Sequence, residues 1–127
     1  IPERDGILSG LMLLEMLAKT GTPLSELVDL LAEQVGPHHY DRWDLEFEEE
    51  ERQEISENLS SAHPEDIAGR RVEEIDTRDG FRFVLEGGYW SLVRFSGTEP
   101  LLRVYAEGES PEEVEELLRK TQALAGL

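Results

Sequence analysis

The run Arg94-Phe95-Ser96-Gly97-Thr98-Glu99-Pro100-Leu101-Leu102-Arg103 gathers more hydrogen-bond donors than a plain turn needs. Two arginines flank it, Ser96 and Thr98 carry hydroxyls, and Gly97 stands between them. Ser, Gly, Thr and Pro alone would make an ordinary tight turn. An arginine at each end adds a different chemistry. Guanidinium groups fork onto the oxygens of a doubly charged oxyanion. Gly97 is expected to adopt backbone angles that other residues resist, so that successive N–H groups converge on one point. Each charge-assisted bond would contribute about 1.5–3 kcal/mol where water is excluded. The chemistry on offer is therefore the grip of a phosphate by Arg94, Ser96, Gly97, Thr98 and Arg103.

Such a loop has to be held by rigid elements. Apolar, strand-like residues lead into it (Trp90-Ser91-Leu92-Val93) and out of it (Val104-Tyr105-Ala106). Upstream, Arg71 to Asp76 and Phe81 to Leu85 read as strands. Thr77-Arg78-Asp79-Gly80 joins them, and its Asp-Gly pair signals a hairpin. Gly87-Gly88 turns the chain again. His38 to Phe47 reads as a further strand, on which adjacent His38 and His39 point to opposite faces and cannot share a metal. Ser61 to Gly69 reads as a loop or a short turn of helix.

Helices are expected at Asp5–Thr20, Leu24–Gln34, Glu48–Ser60 and from Ser110 onward. Asp5 caps the first and Gly21 stops it. That helix is apolar almost all round and should be buried on most faces. Ser110-Pro111-Glu112-Glu113 is a capping box with proline in the first turn. Val114, Leu117, Leu118, Thr121 and Leu124 form the core stripe that follows. Short connections without helical crossovers imply antiparallel pairing. The class is α+β: a small antiparallel sheet with helices on one face, preceded by a helical hairpin.

The pattern Arg-x-Ser-Gly-Thr-Glu-Pro-x-x-Arg-Val over 94–104 resembles the phosphate-binding loop in the last domain of the α-D-phosphohexomutases, the phosphoglucomutase/phosphomannomutase group. Arg4-Asp5-Gly6-Ile7, running on to Leu13-Leu14-Glu15, and Leu24-Ser25-Glu26-Leu27 resemble the end of that family's third domain. The resemblance implies that residues 1–36 are the tail of the third domain and 37–127 a C-terminal phosphate-binding domain. It also implies a four-stranded, TATA-binding-protein-like sheet. A whole enzyme of this kind is an isomerase that moves a phosphoryl group between C1 and C6 of a hexose. It does so through hexose 1,6-bisphosphate, with a phosphoserine and Mg²⁺. No phosphoserine Ser-His, Asp-Gly-Asp metal loop or Gly-Glu-x-Ser-Gly-His motif occurs here. No residue of this segment is therefore assigned to catalysis or to a metal, and alone it is expected to be inactive. Phosphoglucosamine mutases share Ser-Gly-Thr-Glu-Pro, while Phe95 tilts the reading toward glucose and mannose phosphates. A non-enzymatic phosphometabolite-binding or interaction module is the alternative from another class.

Composition narrows the partners. The 127 residues suffice for one modest domain, and the start at Ile1 rather than Met suggests a piece of a longer protein. The formal charge of −17 disfavours nucleic acid. Yet Arg70 to Arg103 holds six basic and six acidic residues, so the loop lies in a neutral segment of an acidic chain. No apolar run is long enough to span a membrane. The absence of cysteine fits a reducing, cytoplasmic setting. The expected partners are a phosphosugar, the preceding domains of the same protein and, through the apolar helix at 5–20, a second copy.

Overall fold

The computed structural model describes residues 5–127. The chain divides into two units, Ile1–Gly36 and Pro37–Leu127. Within the first, α1 (Gly6–Thr20) starts where the Leu8 amide donates to Asp5 Oδ1 at 2.9 Å. It ends at Gly21, whose φ of 67° lets its amide reach the Leu17 carbonyl. α2 (Leu24–Val35) follows, with Pro23 at its N-cap and Gly36 closing it. The burial expected for α1 is not found: neither helix has a buried residue, and Leu11, Met12 and Leu14 are exposed. α1 and α2 make little contact with each other, so a helix that is apolar almost all round is left uncovered.

The second unit runs β1 (His39–Glu46), a 3-10 turn (Glu49–Glu51), α3 (Arg52–Ser61), β2 (Asp66–Ile67), β3 (Arg70–Asp76), β4 (Phe81–Leu85), β5 (Trp90–Phe95), β6 (Leu101–Gly108) and α4 (Pro111–Leu124). All strands pair antiparallel in the order β1-β6-β5-β4-β3-β2. The class is as the sequence indicates, but there are six strands rather than four. Two edge strands make the difference. β1 zips along the outside of β6, and the two-residue β2 turns back onto β3 through Ala68 and Gly69, both at positive φ. Sequence reasoning assigned that last segment to a loop, because Ala-Gly carries no hairpin signal of the Asn-Gly or Asp-Gly kind.

Strict alternation makes one sheet face apolar. Phe83, Leu85, Val93, Leu102, Val104 and Ala106 are fully buried there, beneath Ile55 and Leu59 of α3 and Val114, Leu117 and Leu118 of α4. Thr121 on α4 donates to the buried Ser91 hydroxyl on β5 at 2.9 Å, so the one polar pair in this layer is satisfied. α4 begins as its capping box requires, with the Glu113 amide donating to Ser110 Oγ.

Arg70 fastens the other end of the sheet to α4. Its guanidinium donates to both oxygens of Glu113, to Glu109 and to the Glu86 carbonyl, and lies 4.2 Å from the Tyr89 ring centre. The Arg70 hydrogen bonds hold the Glu113 carboxyl below its usual pKa, and Glu113 in turn raises Arg70. Replacing Glu113 with Gln should lower the unfolding free energy by about 1–3 kcal/mol at pH 7 in urea titrations. Because the folded-state pKa is depressed, that difference is full above about pH 4.3. It shrinks as pH falls through the lower folded value.

Candidate functional site

β5 and β6 meet rung by rung: Val93 faces Val104, Arg94 faces Arg103, and Phe95 faces Leu102. The valines and Leu102 are in the core. Arg94 and Arg103 therefore share the opposite face, side by side at the mouth of the loop. The sequence reading placed them at the two ends of a run, and the register makes them neighbours.

The connection from Ser96 to Pro100 is fixed by three backbone bonds. The Ser96 amide donates to Leu101 O at 2.8 Å, the Leu101 amide to Glu99 O at 2.8 Å, and the Phe47 amide to Pro100 O at 3.4 Å. Ser96 is buried, while Gly97 through Pro100 are exposed. Among the described residues nothing accepts from the amides of Gly97, Thr98 or Glu99. Three N–H groups thus stand open beside two hydroxyls. The expected special backbone at Gly97 is not found, since it is absent from the positive-φ positions. A Cβ added there would meet nothing within 4 Å. What glycine provides is bare backbone that a ligand can approach closely.

Each guanidinium group is met by carboxylates. Like charges on one rung repel, and each takes carboxylates on its own side. Arg94 Nη1 donates to Asp79 Oδ2 at 3.0 Å, on the β4 side. Arg103 lies 4.0 Å from Asp44 of β1 and 3.7 Å from Glu99, and its buried Nε has no hydrogen-bond partner. Asp44 is instead engaged by Arg42 at 3.0 Å. Arg103 is thus held near carboxylates but keeps donor capacity.

The roomiest hollow nearby, about 700 Å³, is lined by Glu46, Glu48 to Glu51 and Glu99 around Phe47, Pro100 and Leu101. It would repel an anion, whereas the amide and arginine side of the loop would attract one. Among the described residues no three of His, Asp and Glu gather as a metal would require. His38 reaches Glu107 at 2.8 Å on the surface, apart from this region.

Phe95 packs edge-on to Phe47, with ring centres 5.4 Å apart, and Arg52 lies 4.7 Å above it. Its bulk thus has a packing use within the fold. Asp79 went unassigned, because its Asp-Gly pair already had a purpose as a turn.

The phosphoglucomutase/phosphomannomutase C-terminal domain model matches residues 45–123. The chain belongs to this phosphohexomutase family. The family's alpha/beta/alpha domain III matches residues 1–34. Among curated relatives, a phosphoglucomutase/phosphomannomutase of Thermococcus kodakarensis is 34% identical over 115 residues, 91% of this chain and 23% of the relative. A probable phosphoglucosamine mutase of Methanopyrus kandleri is 39% identical over 113 residues, 89% of this chain and 23% of the relative. A phosphoglucosamine mutase of Methanocaldococcus jannaschii is 35% identical over 123 residues, 91% of this chain and 24% of the relative. The chain thus spans about a quarter of the phosphohexomutases it matches.

Two glycines at this end of the sheet should respond oppositely to alanine. Gly80 has φ 93°, and a Cβ there would lie 2.4 Å from Val93 O. Gly80→Ala should cost at least about 2 kcal/mol of stability. Gly97→Ala should stay within about 0.5 kcal/mol of the parent. Thermal and urea unfolding of the two variants check the contrast.

Proposed function

We propose that residues 37–127 grip the non-reacting phosphate of a phosphosugar for a phosphohexomutase whose catalytic residues lie outside this chain. The observation that carries this is the loop's donor set: open amides at Gly97, Thr98 and Glu99 beside Ser96, Thr98 and an under-satisfied Arg103. Holding a remote phosphate supplies binding energy that orients the reacting end of the sugar. Arg94, Ser96, Gly97, Thr98 and Arg103 are the ligand residues in this reading, and Glu99 and Pro100 shape the loop. In the whole enzyme the reaction would interconvert hexose 1-phosphate and hexose 6-phosphate, with Mg²⁺ and the bisphosphate supplied at the distant centre. The curated relatives carry both phosphoglucomutase and phosphoglucosamine mutase names. The sugar is therefore left as a phosphohexose, with glucosamine phosphate the second reading. The setting would be cytoplasmic.

Residues 1–36 would be the tail of the preceding domain, whose body would bury α1. Without it, the exposed Leu11 and Leu14 should drive self-association. Light scattering should report a mass above the monomer that rises with concentration, and Leu11→Glu with Leu14→Glu should restore the monomer.

Titrating the isotope-labelled chain with glucose 1-phosphate tests the phosphate grip. The amide signals of Ser96, Gly97 and Thr98 should move, and Arg103→Met should weaken binding roughly ten- to a hundredfold, as loss of one charge-assisted contact implies. Signals that stay still at high ligand would overturn the reading. The chain alone should convert no glucose 1-phosphate.

A further inference from the structure

Arg94 has one side-chain partner among the described residues, Asp79, and Asp79 has no other. We propose that Asp79 is a tethered counter-ion that Arg94 exchanges for the ligand's oxyanion, so that this turn carboxylate tunes which anions the loop accepts. The proposal rests on the phosphate-binding reading above and adds a specificity-determining residue to it.

Three observations support it. First, the position of Asp79 is imposed by the backbone. Gly80 lies so close to β5 that a Cβ would meet Val93 O and, at 2.8 Å, Arg94 Cβ. The hairpin turn is pressed against Arg94 itself. Second, the neighbouring arginine does not compete. Arg78 is spent on Asp76, with its Nε 2.9 Å from Oδ1 and Nη2 2.6 Å from Oδ2. Those bonds hold the Asp76 carboxyl at about 2 and leave Asp79 to Arg94. Third, the pair is weak enough to open. The Asp79 side chain is 79% exposed and that of Arg94 40%, and contacts of this kind contribute little in water.

A carboxylate on a short tether acts at a high effective concentration. A free monoanion brings Arg94 no more charge than the carboxylate it displaces. A phosphate dianion brings a second charge and enough oxygens to take up the open loop amides as well. Asp79 thus penalises every anion for Arg94, and only the dianion recovers the loss elsewhere.

The test uses the isotope-labelled 127-residue chain at pH 8, with inorganic phosphate and then acetate as probes and the Gly97 and Thr98 amides as readout. Asp79→Asn should bind phosphate about two- to fivefold more tightly. Acetate should tighten by a similar factor, because the same carboxylate is displaced from Arg94 in both cases. Glu86→Gln removes the same charge at the far end of β4 and should change neither quantity. Asp79→Ser repeats the test with a different turn residue. Unchanged or weaker phosphate binding in both Asp79 variants, while the parent still responds, would overturn the exchange. Equal tightening by Glu86→Gln would overturn it too, by reducing the effect to net charge. A parent chain whose loop ignores phosphate would remove the phosphate-binding reading, and the exchange with it.

Discussion

Arg94 and Arg103 occupy one rung of an antiparallel ladder. Like charges placed directly opposite one another are destabilising. The register is set by what lies beneath them. Val93 against Val104 and Phe95 against Leu102 put large apolar groups on the helix-covered face. Each such side chain gains about 1.5–3 kcal/mol on full burial. A slip of one residue would turn both arginines into the core and expose the valines. The core therefore decides the register, and the two cations are brought together as a consequence.

Their repulsion is met locally. Asp79 comes from the turn on one side, and Asp44 and Glu99 approach from the other. The wider chain is strongly acidic, and the glutamates around Phe47 extend that field to the back of the loop. An anion approaching the loop would thus meet attraction from one direction and repulsion from the next. Orientation comes from the surroundings as much as from the loop. At the opposite end of the sheet Arg70 is committed to Glu113, Glu109 and the Glu86 carbonyl, a structural use of the same chemistry.

Much of this was legible in the residues. Period-two alternation marked β4, β5 and β6, and Ser110 to Glu113 announced α4. The donor-rich run at 94–103 stood out because its composition exceeds what a turn requires. What stayed hidden depends on contacts distant in sequence. Nothing local shows that Arg94 and Arg103 share a rung, that Asp44 reaches across from β1, or that Gly80 is pressed onto Val93. Gly97 was read as conformationally special because most loop glycines are. Its neighbours prove to leave the backbone ordinary and the space above it open. β2 escaped notice because two residues hold no periodicity.

β6 lies between β5, its neighbour in sequence, and β1, which left the chain some sixty residues earlier. The oldest strand of this unit therefore pairs with the youngest. During synthesis β1 has no partner until residues 101–108 emerge, and the Phe47 amide cannot reach Pro100 before then. Non-local pairing of this kind is slow to form, because chain closure must precede the contacts that reward it. The loop at 96–100 is thus among the last parts of the unit to take shape, and its open amides come together only when the fold around it is complete.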